Sequence, residues 1–358
     1  MEEINHLEKL ISILAEASEM GASDIHIAPM RQVLFRVDGK LKKGAAEEVT
    51  EQEIEQWLKE LLKAGQADEL KENGELDFSC SLLENRIRVN VFKQQGAYAM
   101  SVRVLPIVCK MPQELEIPQS IVRLTGKNRG LILVTGAAGS GKTTTLASLL
   151  QFIAAKDAKT IVTLENPVEY LYESDSSLIL QREIGSDSRS YVTGLSAALK
   201  EDPDVILVGE IEDFETAELA IKAAETGHLV LASVHTGSVL KTIERMIEIF
   251  PPHKKQQVRA QLSEVLLGVI SQQLLPKQGE KGRVAAYEVM IADANIRNLI
   301  RDSKNHQIPS VMRNDAKEGM ITMDEAIYNL YMKSSIDSET AIAYAEDAAD
   351  MRRKVELF

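Results

Sequence analysis

The chain is poor in the residues that stabilise a small fold by cross-links or stacked rings. Of its 358 residues only Cys80 and Cys109 are cysteines, with no Cys-x-x-Cys pair. The two are read as reduced, partly buried thiols, and a cysteine zinc module is excluded. Aromatic residues make up only 4%, so the cores must be built from Leu, Ile, Val, Ala and Met. Positive charge is in deficit: the formal net charge is −13, which argues against a surface that grips nucleic acid through its phosphates. No apolar run approaches the roughly 18 residues of a membrane span, and the Met1-Glu2-Glu3 start is acidic without an apolar signal core. These absences describe a soluble cytoplasmic protein with no transmembrane segment. At 44% hydrophobic the chain has ordinary core material, and its length suggests two or three domains.

What stands out is Gly136-Ala137-Ala138-Gly139-Ser140-Gly141-Lys142-Thr143, a G-x4-G-K-T phosphate-binding loop. It follows the apolar run Leu131–Val134 and opens a helix-like stretch from Thr144 to Phe152. That strand–loop–helix context is what the motif needs. Glycines let backbone N–H groups turn toward phosphate oxygens, and the helix N-terminus adds its positive dipole end. Lys142 is expected at the β- and γ-phosphates of ATP, and the Thr143 hydroxyl on Mg2+.

Further apolar runs, Thr160–Leu164, Val205–Val208 and Leu229–Val234, alternate with helical segments, the pattern of an α/β domain with a mainly parallel sheet. The P-loop, Glu165, Glu210 and His235 each stand just past the carboxyl end of such a run, where open α/β sheets bind ligands. Glu210 is the candidate for positioning or deprotonating the attacking water. Gly209 takes the usual Asp position of a Walker B strand, so Mg2+ is expected to rest on Thr143, phosphate and water, with Glu165 and Glu210 acting through water. His235 is the candidate γ-phosphate sensor. His228, at the other end of the same run, is a weaker nucleotide-binding candidate, since a structural histidine there is as good a reading.

Ahead of this domain, apolar spacing marks helices over residues 4–20 and from Ile54 to Leu62, with Thr50 and Glu53 placed for a capping box. Arg86-Ile87-Arg88-Val89 and Ser101-Val102-Arg103-Val104 alternate as strands and put Arg86, Arg88 and Arg103 on one sheet face. That is either a solvated face or a set of γ-phosphate partners. Lys110–Gln119, with Pro112 and Pro118, reads as the interdomain linker. The later chain reads as helical, with a long apolar pattern over Val258–Leu275 interrupted by Gly268 and Gln272. It also holds an amphipathic helix over Ala294–Arg301.

From about Gly21 to Ile300 the sequence resembles the secretion-type hexameric ATPases of type II secretion and type IV pili. The resemblance rests on Gly21–His26, Phe35–Gly39, Arg86–Asn90, the P-loop, Thr163–Glu169 (an aspartate box), Glu201–Glu210 (a Walker B in which Gly also replaces Asp) and Ala224–Thr236 (a histidine box). Asn295–Arg301, with Asn for Ala at its start, is similar to the C-terminal motif of the retraction subfamily. The chain also lacks the extra N-terminal domain and four-cysteine module of extension members. The resemblance implies a PAS-like N-terminal α+β domain over 1–109, a linker over 110–119, and a RecA-like P-loop ATPase domain with C-terminal helices over 120–358. It further implies a homohexameric Mg-ATP motor for pilus retraction, with arginines 86, 88 and 103 closing over the nucleotide. Its implied partner is a platform membrane protein at the pilus base, on the cytoplasmic face. Asn166 stands at an Asp position, Ala137-Ala138 at Pro-Thr, and Glu212 at a basic position. The same-fold alternative is pilus extension, competence or type II secretion; alternatives of other classes are a nucleic-acid translocase and a non-hydrolysing regulatory subunit.

Overall fold

The computed structural model describes residues 7–37, 39–45, 48–63, 65–82, 85–105, 109–279, 282–314 and 319–356; the acidic Met1-Glu2-Glu3 start lies outside them. The chain divides into two units, Met1–Val108 with Pro167–Leu171, and Cys109–Asn166 with Tyr172–Phe358.

In the first unit, α1 (Glu8–Glu19) buries Leu10, Ile13, Leu14 and Ala17. It stops where Gly21 adopts φ +63°, a left-handed conformation that glycine takes without strain. Strands β1 (Asp24–Ile27), β2 (Leu34–Val37) and β3 (Lys40–Lys43) precede helices α2 (Glu51–Leu61) and α3 (Gln66–Asn73). The capping box at the head of α2 forms: the Thr50 hydroxyl accepts from Glu53 N, and the Glu53 carboxylate accepts from Thr50 N at 2.7 Å. Strands β4 (Glu75–Leu82), β5 (Asn85–Gln94) and β6 (Ala97–Leu105) complete a six-stranded sheet, β3-β2-β1-β6-β5-β4, antiparallel at every pairing. Trp57, Phe35 and Phe78 fill its core with aliphatic neighbours.

The second unit opens with α4 (Gln119–Leu124), β7 (Gly130–Thr135), α5 (Lys142–Lys156), β8 (Thr160–Glu165) and β9 (Leu178–Glu183). It continues through α6 (Tyr191–Ala198), β10 (Val205–Val208), α7 (Phe214–Glu225), β11 (Leu229–Val234), α8 (Val239–Glu248) and α9 (Lys255–Val265). Then come β12 (Leu266–Pro276), β13 (Arg283–Ile291), α10 (Ala294–Arg301), α11 (Ile308–Asn314), α12 (Met323–Met332), α13 (Ser338–Tyr344) and α14 (Ala348–Glu356). The seven strands order as β13-β12-β7-β11-β10-β8-β9, parallel except for β13 against β12. Cores lie on both faces of this sheet, which is why its central strands β7, β10 and β11 are buried at every position rather than at alternate ones.

Two expectations change here. The stretch from Leu266 is not helical: β12 and β13 form a long antiparallel pair at the sheet edge. An unbroken apolar run cannot be assigned by period, because a strand buried on both faces and a buried helix look alike. The stretch 110–119 does not run free as a linker. It belongs to the second unit, where Ile117 is buried and the Tyr287 hydroxyl donates to the Leu115 carbonyl at 3.1 Å.

The amphipathic helix α10 buries Ile296 and Ile300, as its spacing predicts. Its Arg297 is committed inward. Nε donates to Ala292 O and Nη2 to Leu266 O, both at 2.8 Å, while Nη1 donates to Ser263 O at 2.9 Å and also to Glu264 O. Ser263 and Glu264 belong to the last turn of α9, whose carbonyls lack intrahelical partners, so this guanidinium is a helix C-terminal cap. Arg301 is exposed, and its Nη1 donates to Asn298 Oδ1 at 3.4 Å. Among the described residues no helix is long and apolar enough to cross a membrane.

Candidate active site

The parallel register decides what meets at the site. Val234 pairs with Thr135, Val208 with Ala232, and Val208 with Leu164. The P-loop, His235 and Gly209-Glu210, which follow these strands, and Glu165, the last residue of β8, therefore emerge along one edge of the sheet. Gly136, Gly139 and Gly141 all take positive φ. A Cβ on Gly136 would meet the Gln272 carbonyl oxygen at 2.5 Å, and one on Gly141 would meet Gln272 Nε2 at 2.9 Å, so close approach as well as backbone conformation demands glycine there. Ala137 and Ala138 are exposed at the tip. No side chain caps α5 at Gly141, which leaves the N–H groups of its first turn facing outward as an anion site.

Lys142 is buried, and its ammonium donates to the Gly136 and Ala137 carbonyls at 2.9 and 3.0 Å. Burial pushes it below the usual lysine value, and the negative charge of Glu210 opposes that shift. Thr143 is exposed at the head of α5, and Thr144 with Thr145 faces a cavity of about 310 Å³ also lined by Gly141, Gln272, Leu274 and Tyr287.

Glu210 Oε2 lies 3.2 Å from His235 Nε2. Glu165 is buried and accepts from the Thr163 hydroxyl at 2.7 Å and from Gln181 Nε2 at 3.4 Å. The P-loop strand and the His235 turn are tied together by hydroxyls. Thr135 Oγ1 bonds Thr236 O at 2.5 Å and lies 2.6 Å from Thr236 Oγ1, which is 2.7 Å from Thr242 Oγ1 on α8. At the head of that helix the buried Glu288 carboxylate accepts from Val239 N at 2.9 Å. Burial pushes Glu288 up to about 7, with Glu346 and Asp324 adding to the shift.

The glycine in place of a Walker B aspartate has a steric cause. A Cβ on Gly209 would stand 2.9 Å from the Tyr191 hydroxyl and 3.0 Å from the Leu164 carbonyl oxygen. Glu212, the acid at a basic position, brings its carboxylate near this pair: ligand atoms of Glu210, Glu212 and His235 lie within 4.8 Å of one another. The donor set fits Mg2+, since an exposed Thr143 hydroxyl and carboxylate oxygens are the hard ligands that ion takes.

His228 is not brought to this edge. It precedes β11, its carbonyl accepts from Gly130 N at 3.0 Å, and its Nδ1 sits 2.9 Å from Ala223 O. It closes the turn from α7 to β11 at the opposite end of the strand from His235, so the structure does not bring it together with the P-loop, Glu210 and His235. In the first unit, Arg86, Arg88 and Arg103 do share one sheet face, Arg88 and Arg103 being cross-strand partners. Arg86 donates to Val168 O at 2.8 Å. Arg88 pairs with Asp77 at 2.6 Å and Glu169 at 3.2 Å, and Arg103 pairs with Asp24 at 2.7 Å. Burial alone would raise Asp24, but the Ser23 hydroxyl and Arg103 hold it below its usual value.

Tyr191 and Gln272 are site neighbours that the sequence reading left without a role. Gln272 was legible as a polar break in an apolar run; Tyr191, one of the eight tyrosines, carries no local signal.

The glycine cradle, the lysine at the head of a buried helix and the carboxylates at neighbouring strand ends define a P-loop nucleotide hydrolase of RecA-like architecture. The family model described as type II/IV secretion system protein matches residues 2–335, and the chain belongs to that family. It is 42% identical over 88% of its length to the uncharacterized protein YggR of Escherichia coli, covering 95% of that protein. It is 40% identical over 89% of its length to a twitching motility protein of Neisseria gonorrhoeae, covering 85% of it. The solved structure of the pilus retraction motor PilT with bound ADP superposes with a TM-score of 0.87 at 41% identity, covering 95% of this chain and 98% of that one.

Proposed function

We propose that this chain is an ATP-driven motor for type IV pilus retraction. In this reading it works as a homohexamer at the cytoplasmic face of the inner membrane, against a PilC-like platform protein at the pilus base. The convergence of Lys142, Glu210 and His235 at one sheet edge carries the reading, in a chain that matches a twitching motility protein and a retraction motor over most of its length.

The P-loop N–H groups and Lys142 hold the ATP phosphates, and the 310 Å³ cavity beside Thr145 receives the nucleoside. Glu210 takes a proton from the water whose oxygen attacks the γ-phosphorus, and ADP leaves. His235, hydrogen-bonded to Glu210, reads whether the γ-phosphate is present. Glu165 supports the same water. Thr143, with Glu165 and Glu210 through water, would hold Mg2+, which when bound would supply charge neutralisation for the phosphates. Arg86, Arg88 and Arg103 contribute positive charge from the first unit, in their own or a neighbouring subunit.

The test is pilus number and surface motility in the native host after deletion of the gene. Excess pili with lost twitching is the expected result. Absent pili would assign the chain to assembly, and no change in either would remove it from pilus work.

A further inference from the structure

Gln272 is only 1% exposed, and both ends of its carboxamide are used. Nε2 donates to the Ser140 carbonyl at 2.5 Å, and Oε1 accepts from the Thr145 hydroxyl at 2.8 Å. The neighbouring Ser271 pairs with Thr135, so Gln272 stands just where β7 gives way to the P-loop. Its backbone oxygen closes off the space beside Gly136 and its side chain the space beside Gly141. One residue of β12 thus faces the loop at its start and at its end.

We propose that Gln272 is a positioning residue for the P-loop, fixing the orientation of the Ser140–Gly141 peptide for phosphate binding. The reason is peptide geometry. In a planar trans peptide the C=O and the following N–H point in opposite directions. Holding the Ser140 carbonyl toward β12 turns the Gly141 N–H away from β12, toward the phosphate side. The bond from Thr145 ties the same amide to the first turn of α5, so loop and helix N-terminus are set by one group. A loop fixed in its binding form before the ligand arrives avoids the ordering cost on binding. The inference rests on the nucleotide-binding part of the function proposed above.

The test uses full-length protein and titration with a fluorescent ADP. Gln272→Met, similar in length but without hydrogen-bonding groups, is expected to raise the ADP Kd about tenfold, the scale of one lost net hydrogen bond. The KM for ATP should rise by a similar factor with kcat changed less, since the loop holds phosphates before and during reaction. Gln272→Glu keeps the acceptor for Thr145 and loses the donor to Ser140, and it should weaken ADP at least as much. Thr145→Val, with the Gln272–Ser140 bond intact, should raise the Kd about threefold. A purely space-filling role would lower Tm while leaving Kd and KM alone. An ADP Kd within about twofold of the parent in Gln272→Met, or, should that variant not fold, in both Gln272→Glu and Thr145→Val, overturns the proposal. Failure of the parent chain itself to bind ADP overturns the nucleotide reading together with it.

Discussion

In the second unit β7, β10 and β11 are buried at every residue, and charge appears only where those strands stop. In the first unit β1 and β2 alternate half-buried with buried, and the arginines of β5 and β6 lie across an open face. The difference follows from what covers each sheet. A parallel sheet with cores on both faces has nowhere to put a charge except its edge, so Glu165, Glu210, His235 and the P-loop are concentrated along one line. An antiparallel sheet with one solvated face spreads charge over its area, and there each arginine is held by acceptors of its own unit. Function at the first site comes from convergence. A nucleotide-facing role for the arginines would require them to exchange the partners they already have.

The comparison breaks most sharply at Glu210. Glu210→Gln should leave ADP binding intact and lower ATP turnover by roughly 10²–10⁴-fold; near-normal turnover would remove Glu210 from the water-activating role. Next is Arg103→Ala. Its ion pair with Asp24 is 57% exposed on the arginine side, so stability should change by less than about 1 kcal/mol. A nucleotide-facing role predicts a fall in turnover of at least about tenfold. A Tm shift alone would return the arginine face to being a solvated surface. Third, Gly209→Ala forces a Cβ against the Tyr191 hydroxyl and the Leu164 carbonyl. Denaturant unfolding should show a loss of about 1–3 kcal/mol. Adding Tyr191→Phe should recover only part of it, because the Leu164 contact is backbone.

The smallest effect concerns Glu288. Its folded pKa of about 7 lies above the ordinary glutamate value, so the folded chain keeps a proton that the unfolded chain releases. The stability tied to that proton is present in acid and is lost as pH rises through about 7. Glu288→Gln, still able to accept from Val239 N, should therefore raise Tm by a few degrees at about pH 8 and leave it nearly unchanged near pH 4.5. An equal gain at both pH values would mean that packing, not charge, is the cause.

Much of the second unit was legible because its signals are local. A P-loop needs its glycines in sequence, and the apolar runs before Glu165, Glu210 and His235 give the strand ends directly. The capping box of α2 was readable for the same reason. What failed to show were properties set by neighbours. Leu266–Pro276 reads as a helix until β7 is seen beside it, and Pro112 and Pro118 suggest a linker until Ile117 is seen in a core. Gly209 looked like a lost aspartate; its cause, the Tyr191 hydroxyl, comes from a helix separated from it in sequence.

The Arg297 cap bears on how genetics at the Asn295–Arg301 motif should be interpreted. Four carbonyls from three segments converge on that side chain, and a lysine, with three donors on a single nitrogen, cannot serve them all. An allele at 297 that abolishes twitching would therefore be ambiguous between a lost partner contact and a loosened helix pair. Arg301, on the same helix but exposed, has no such burden. A loss of motility at 301 with protein abundance unchanged would be evidence about the partner, and the two alleles scored side by side separate the motif's internal meaning from its external one.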